Sequence, residues 1–252
     1  MSKTSDDTEL ALKLMDRADR MAVLSGAGIS TEAGIPDFRG PGGLWQDPSL
    51  FAKLSAKGFA KDPAGFYEAG LKLFPNIAQA KPTPAHYLVA GLEQRGRIVA
   101  VVTQNIDGLH QAAGSRKVFE IHGTFRTGHC TRCRKSYEML GFYEDMRRGL
   151  SLPPLCACCS KPIKPDLVLF DDYLPAQIWQ AAVEAVEDCD LLLVLGSSLR
   201  VYPAAGLPQL ALEHGMPVVI VNLEETPYDS RAAAVVRGSL AEFAQAANLY
   251  QS

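Results

Sequence analysis

The sequence predicts an α/β chain: a doubly wound parallel sheet carrying a smaller lobe built from two insertions. Three observations carry that expectation. Short aliphatic runs of strand length recur along the chain, bounded by turn residues. Helical stretches with start and stop signals lie between several of these runs. Two segments, 36–76 and 124–165, break the alternation with prolines, glycines, aromatics and paired cysteines. Strands that alternate with helices pack as a parallel sheet covered on both faces.

The elements follow in order. Asp6 and Glu9 have the spacing of a capping pair, and Leu10, Leu14 and Ala18 recur behind them at helical spacing. Met21-Ala22-Val23-Leu24-Ser25 reads as the first buried strand and runs directly into Gly26-Ala27-Gly28-Ile29-Ser30-Thr31. Further parallel strands are expected at 98–103, 118–121, 167–170, 191–195 and 218–221. Thr83 as cap, Pro84 at the first position and Gly96 as stop mark a helix over 85–95. Other helices are expected at 176–187 and 204–214, with one near 64–73 inside the first insertion. Residues 1–35, 77–123 and 166–252 then form the sheet domain, 36–76 a helical insertion and 124–165 a second insertion. A cleft between lobes is a favoured place for a ligand.

The second insertion holds Cys130-Thr131-Arg132-Cys133 and Cys156-Ala157-Cys158-Cys159, with 22 residues between the pairs. This is a zinc-knuckle spacing. Four thiolates fill a tetrahedral zinc and leave no position for water, so one ion is expected in a structural role. Cys158 could replace Cys156 or Cys159. The Cys156 and Cys159 pair repeats the two-residue gap of the first pair and is preferred. His129, beside Cys130, is a fallback ligand, and Cys189 reads as a small buried hydrophobe.

At 252 residues and a net charge of −3, the chain can bury a large core and shows no electrostatic footprint for nucleic acid. Its start lacks the layout of a signal peptide, and its aliphatic segments are too short to span a membrane. No direct nucleic-acid or membrane partner is expected, and the cytoplasm is the expected location. Disulfides fit such a compartment poorly.

Gly26 and Gly28 let backbone N–H groups approach an anion, and the helix start behind them adds a positive dipole end. Glycine-rich strand-to-helix turns also exist for packing alone. A third glycine would fall at position 31, where Thr31 stands. No strand ends in an acid about twenty residues on, since Asp47 lies in Leu44-Trp45-Gln46-Asp47-Pro48, so an ordinary nicotinamide dehydrogenase is disfavoured. Three later segments follow strands with polar residues: Thr103-Gln104-Asn105-Ile106-Asp107, Gly196-Ser197-Ser198 and Asn222-Leu223-Glu224. Ligands bind beyond the carboxyl ends of strands in an open parallel sheet, where these side chains could hold ribose hydroxyls and a carboxamide. Loop capping alone also explains each of them. His122 follows a strand, and Gly123 beside it permits close approach. An unperturbed imidazole, with a pKa near 6.5, suits a general base at neutral pH. His86 and His214 read as structural, while His110 supports the site from behind.

Together, Gly26-Ala27-Gly28-Ile29-Ser30, Gly34-Ile35-Pro36-Asp37-Phe38-Arg39, Thr103-Gln104-Asn105-Ile106-Asp107, His122-Gly123, the paired cysteines, Gly196-Ser197-Ser198-Leu199 and Asn222-Leu223-Glu224 resemble the sirtuin signatures, in the family's order. The resemblance runs from about residue 10 to the C-terminus and is similar to a bare catalytic core of the compact bacterial kind. It implies a Rossmann-like large domain and an NAD-consuming protein-lysine deacylase, acting on acetyl-lysine-containing protein segments. In that reaction the acyl oxygen attacks the ribose carbon bearing nicotinamide, and the products are free lysine, nicotinamide and O-acyl-ADP-ribose. By position, His122 would be the general base and Asn105 a second catalytic residue. Asn105 and Asp107 would hold the ribose and carboxamide region, Gln104 would contact the nicotinamide ribose, and Ile106 would line the pocket. Phe38 would shield the reactive carbon and Arg39 would sit near the phosphates. Gly26, Ala27, Gly28, Thr31, Asp37, Gly196, Ser197, Ser198, Asn222, Leu223 and Glu224 complete the cofactor set. The peptide would add as a strand between two segments, against Val168 and Phe170 on one side and Leu199 and Val201 on the other. The chain departs from the family at Asp171-Asp172, where Gly-Glu or Gly-Gln is usual. A mono-ADP-ribosyltransferase using the same pocket is the alternative activity, and a dinucleotide-sensing module without turnover is a third.

Overall fold

The computed structural model describes residues 3–37, 48–71, 73–149 and 152–250. In chain order the elements are α1 (Lys3–Arg17), β1 (Met21–Ser25), a 3-10 helix (Ala27–Ala33), α2 (Pro48–Lys53), α3 (Ala56–Lys61), α4 (Pro63–Gly70), α5 (Phe74–Gln79), α6 (Pro84–Gln94), β2 (Ile98–Thr103), α7 (Leu109–Ala113) and β3 (Val118–Glu120). They continue with β4 (Gly123–Cys130), β5 (Ser136–Glu138), α8 (Leu140–Arg147), β6 (Ile163–Leu167), α9 (Ala176–Glu187), β7 (Leu191–Leu195), a 3-10 turn (Ala204–Gly206), α10 (Leu207–Glu213), β8 (Val218–Val221), β9 (Ala234–Val236) and α11 (Leu240–Tyr250).

Residues along the central strands point alternately to two covered faces, which is why their sequences are aliphatic throughout. Met21, Val23, Leu191, Leu193, Val219 and Val221 enter one core with α1, α6 and α11. Ala22, Leu24, Leu192, Val194, Val218 and Ile220 enter the other with α9 and α10. The strands form a parallel six-stranded sheet in the order β3-β2-β1-β7-β8-β9. The chain builds outward from β1 to β3, then returns through β7 on the other side of β1. The switch point therefore lies between β1 and β7, where such sheets bind ligands.

The two insertions share a third core. Phe59, Phe66, Tyr67 and Phe74 from the first pack with Phe125, Met139, Tyr143 and Ile163 from the second. The rings of Phe74 and Tyr143 lie 5.0 Å apart, and Phe125 stacks on Tyr143 at 5.6 Å. A small antiparallel sheet, β5-β4-β6, carries this lobe.

Several sequence expectations need correction. The run 167–170 is no parallel strand: Leu167 ends β6 in the small sheet, and Val168, Leu169 and Phe170 line a cavity. Cavity walls and sheet cores call for the same apolar residues. Asp6 does not cap α1, which starts at Lys3; Asp6 lies in the first turn. The expected helix 204–214 divides at Pro208, whose missing N–H cannot extend the hydrogen-bond ladder back to Ala204. Thr83 does open α6, in a reciprocal capping box with His86. Phe38, Arg39 and Asp47 fall outside the described residues.

Candidate active site

At the carboxyl ends of β1, β2, β7 and β8 the chain leaves the sheet through Gly26, Gln104, Gly196 and Asn222, and all four line one cavity of about 920 Å³. The segment after β6 supplies the facing wall, and Leu54, Phe66, Leu73 and Phe74 supply an apolar end.

The glycines at the switch point are there for contact between backbones. A Cβ on Gly28 would sit 2.7 Å from Gly196 Cα, and Gly196 itself adopts a left-handed φ of 63°. The Gly26 N–H donates to Leu195 O at 3.1 Å and the Gly28 N–H to Gly196 O at 2.9 Å. These two amides are already committed, and backbone packing accounts for glycine at both positions. The loop still forms the cavity wall, with Ala27 and Thr31.

A polar cluster fixes the floor. The Ser30 hydroxyl donates to Asp107 Oδ2 at 2.7 Å and accepts from Asn105 Nδ2 at 3.0 Å. The Leu109 N–H donates to Asp107 Oδ1 at 2.9 Å. Burial pushes the Asp107 carboxyl up, opposed by these donors and by the Arg126 charge. Gln104 reaches across the switch point and donates to Ser197 Oγ at 2.8 Å. His122 Nδ1 lies 2.8 Å from the Gln104 carbonyl. A carbonyl can only accept, so Nδ1 carries the proton and Nε2 is the basic nitrogen of the neutral ring.

The cavity gathers Asp37, Ile106, His122, Val168, Phe170, Ser198, Val201, Leu223 and Glu224 with the residues above. Asp107 stands behind Asn105, outside the cavity wall. Leu199 also turns inward: it is 2 % exposed with φ 52°, and its N–H donates to Ser197 Oγ. It supports the loop and lines no groove. Asn222 Nδ2 donates to Glu224 O at 2.8 Å, so loop capping accounts for that side chain. Ser30 escaped notice as a separate site residue because only the 3-10 turn brings it onto Asn105 and Asp107.

Asp171 takes the left-handed conformation, φ 72°, that a glycine would fill easily. Aspartate tolerates that region better than most residues. Lys57 pairs with Asp171 at 3.2 Å and Lys164 with Asp172 at 3.1 Å. The Leu169 N–H also donates to Asp172 Oδ2, which closes the turn. Each acid therefore has a lysine beside it, at an exposed position for Asp171 and a half-buried one for Asp172.

Behind the floor, His86 and His110 meet edge-on with ring centroids 4.8 Å apart. Burial pushes His86 down to about 4 from 6.5, and burial with the neighbouring His86 pushes His110 far down. Both are neutral at pH 7. As pH falls below about 6.5 the unfolded chain takes up the His86 proton first, so native stability is lost through the window from 6.5 to 4. His86→Gln removes that titration. Relative to the parent it should gain about 3 kcal/mol between pH 7 and pH 4, read by urea unfolding at fixed ionic strength. A pH-independent difference between the two proteins would contradict the assignment.

In the second insertion the sulfurs of Cys130, Cys133, Cys156 and Cys159 lie within 4.8 Å of one another. Two of the separations are 3.3 and 3.6 Å. Tetrahedral Zn–S bonds of about 2.3 Å need roughly 3.8 Å between sulfurs, so the set fits zinc. N–H groups of Arg132 and Cys133 donate to Cys130 Sγ, and Tyr137 Oη donates to Cys156 Sγ at 3.1 Å. Such donors stabilise thiolates. The sulfurs that converge include Cys156 and Cys159 and not Cys158, as the repeated two-residue gap suggests. His129 is no ligand of the cluster: it bonds Asp166 at 2.6 Å and Ser136 at 2.9 Å.

The fold and the site define a two-lobed α/β protein whose ligand cleft opens at a sheet switch point beside a four-cysteine metal lobe. The Sir2 family profile matches residues 26–203, and the chain belongs to that family. It is 44% identical to the NAD-dependent protein deacetylase of Thermotoga maritima over 237 residues, 93% of this chain and 94% of that protein. It is 42% identical to NAD-dependent protein deacylase 2 of Archaeoglobus fulgidus, over 89% of this chain and 88% of that protein. Among solved structures, a Sir2–p53 peptide–NAD+ complex superposes with a TM-score of 0.84 at 42% identity, covering 93% of this chain and 94% of that one. A Sir2 variant with deacetylated p53 peptide and 3'-O-acetyl ADP ribose superposes with a TM-score of 0.87 at 41% identity, covering 94% and 96%.

Proposed function

We propose that this chain is an NAD-dependent protein-lysine deacylase that removes acetyl and other neutral acyl groups, releasing nicotinamide and O-acyl-ADP-ribose. The observation that carries this reading is His122, whose Nδ1–H is held by the Gln104 carbonyl while its ring lines the cavity. In this reading residues 1–35, 77–123 and 166–252 form the NAD-binding domain, 36–76 the helical insertion and 124–165 the zinc insertion.

Bound NAD supplies an electrophilic ribose carbon with nicotinamide as its leaving group. Asn105 and Gln104 orient the nicotinamide ribose, with Asp107 and Ser30 fixing Asn105 from behind. His122 Nε2 takes the proton of a ribose hydroxyl. Ser197 and Ser198 hold the far side of the cofactor, beside Gly26, Gly28 and Gly196. Arg39 is assigned to the phosphates and Phe38 to the reactive carbon. The apolar end of the cavity excludes water that would waste the cofactor. Val168, Phe170 and Val201 flank the acyl-lysine segment as it adds in strand form. Partners are acyl-lysine segments of proteins, with no nucleic-acid or membrane partner. No helix among the described residues is long and apolar enough to cross a membrane. A cysteine-held zinc accords with a cytoplasmic location.

Incubation with NAD and an acetyl-lysine peptide tests the activity by mass spectrometry. Nicotinamide and O-acetyl-ADP-ribose should form one for one. ADP-ribose attached to protein would instead establish the transferase, and no nicotinamide release would establish a non-catalytic sensor.

The acyl preference follows from α4. The Tyr67 hydroxyl donates to Ile163 O at 2.7 Å and is buried. The sirtuin resemblance implies that members accepting succinyl-lysine carry a Tyr-x-x-Arg pair on this helix; here a Cβ on Gly70, three residues after Tyr67, would lie 2.1 Å from the Phe74 ring, so no arginine fits. Among the described residues the cavity wall holds Glu32, Asp37, Asp171, Asp172 and Glu224 but no lysine or arginine. A succinyl carboxylate would lack the guanidinium fork that favours it. Acetyl and propionyl should be removed roughly tenfold or more faster than succinyl from the same peptide. Equal rates would overturn this preference.

A further inference from the structure

His86 and His110 are 0 % and 1 % exposed, and each keeps one ring nitrogen without a hydrogen-bond partner: His86 Nε2 and His110 Nδ1. Buried polar atoms are rarely left in that state, because an unmade hydrogen bond costs more than a made one gains.

The protons on both rings follow from their other contacts. The Thr83 backbone N–H lies 3.2 Å from His86 Nδ1. A backbone N–H can only donate, so Nδ1 carries the lone pair and Nε2 carries the proton. On the other ring, His110 Nε2 lies 2.8 Å from Ser25 Oγ. That hydroxyl donates its single proton to Thr103 Oγ1 at 2.8 Å, so it accepts from His110. His110 is therefore protonated at Nε2 and bare at Nδ1. The two rings meet edge-on, and neither orphaned nitrogen hydrogen-bonds the other.

The far end of this arrangement lies under the active site. Thr103 Oγ1 also accepts the Asn105 N–H at 3.1 Å. Ser25 ends β1 just before Gly26, and Thr103 ends β2 just before Gln104. At the near end, Thr83 Oγ1 lies 2.8 Å from His86 Nδ1 and 3.0 Å from the Ile29 carbonyl, inside the turn that carries Ser30. Both routes converge on Asn105, one through its backbone and one through Ser30.

We propose that His110 is a positioning residue for Asn105, acting through Ser25 and Thr103, with the ring of His86 packed edge-on against it. The proposal rests on the assignment of Asn105 to NAD given above. Both rings stay neutral at physiological pH because they are enclosed, so the direction of the chain persists.

Two measurements separate the failure of this chain of contacts from the failure of that assignment. The ¹⁵N shifts of imidazole-labelled protein without NAD should place His110 as the Nε2–H tautomer; a Nδ1–H tautomer there would overturn the proton order whatever the enzyme does. For kinetics, His110→Phe keeps a ring of similar size and removes the donor. Its kcat/KM for NAD should fall roughly tenfold to a hundredfold, the size of effect expected when a reacting group is misplaced from behind. His110→Gln restores a donor near Nε2 and should recover most of the loss. Ser25→Ala should match His110→Phe, and the double variant should be no worse than either alone, since both cut one chain. Zinc content and circular dichroism confirm that each variant folds. Failure of rescue, or losses that multiply in the double variant, would overturn the positioning role.

Discussion

Cys130→Ala should lose its zinc and unfold the smaller lobe, the largest stability effect expected of any single change in this chain. Structural zinc sites supply on the order of 10–16 kcal/mol of apparent binding energy at neutral pH. Folded domains hold only about 5–15 kcal/mol in total. The lobe also depends on the metal for packing, because Cys130 and Cys156 are buried in the same core as Phe66, Phe125 and Tyr143. Metal analysis should give one zinc per chain for the parent and none for the variant, with a large fall in Tm. Cys158→Ala is the internal control and should keep both zinc and Tm. Retention of fold and metal by Cys130→Ala would remove that sulfur from the site.

His122→Ala should lower deacylation by roughly 10²–10⁴-fold, the usual contribution of a general base. NAD binding should change little, because the Gln104–Ser197 and Asn105–Ser30–Asp107 contacts do not pass through the imidazole. The Gln104 carbonyl loses its imidazole partner, and water in the adjoining cavity can take that place. Turnover with acetyl peptide and a separate NAD titration by calorimetry distinguish the two effects. Near-parental turnover would exclude His122 from proton transfer, and loss of NAD binding would recast it as a binding residue.

How legible the chain was depended on what each residue answers to. Met21–Ser25, Ile98–Thr103, Leu191–Leu195 and Val218–Val221 were readable to the residue because both faces are buried and a polar residue, glycine or proline bounds each run. Ala234–Val236 was missed, since three residues with one alanine make no recognisable run. The helix Leu240–Tyr250 was missed too: its apolar face is largely alanine, which marks burial weakly. The segment 167–170 misled because a cavity wall and a sheet core select the same side chains. The four zinc ligands were readable because a tetrahedral ion imposes its spacing on the sequence. The roles of Ser30 and Ser25 were not, because they exist only once turns and strand ends from distant parts of the chain converge. For glycine at 26 and 28 the sequence leaves anion approach and packing open together, and the geometry supplies the packing reason, contact with Gly196.

The ribbon of β4 and β6 has a further consequence. β4 starts beside His122 and ends on Cys130; β6 starts beyond Cys159 and ends beside Val168, whose N–H donates to the His122 carbonyl at 2.9 Å. One end of this ribbon meets the four cysteines and the other meets His122. Any coupling between occupancy at the two ends runs both ways. Whatever free energy a metal contributes to holding His122 and Val168 in place, a bound peptide returns as tighter retention of the metal. Chelators should thus strip zinc more slowly from the substrate-loaded protein, and equal rates with and without peptide would show that the two ends are independent.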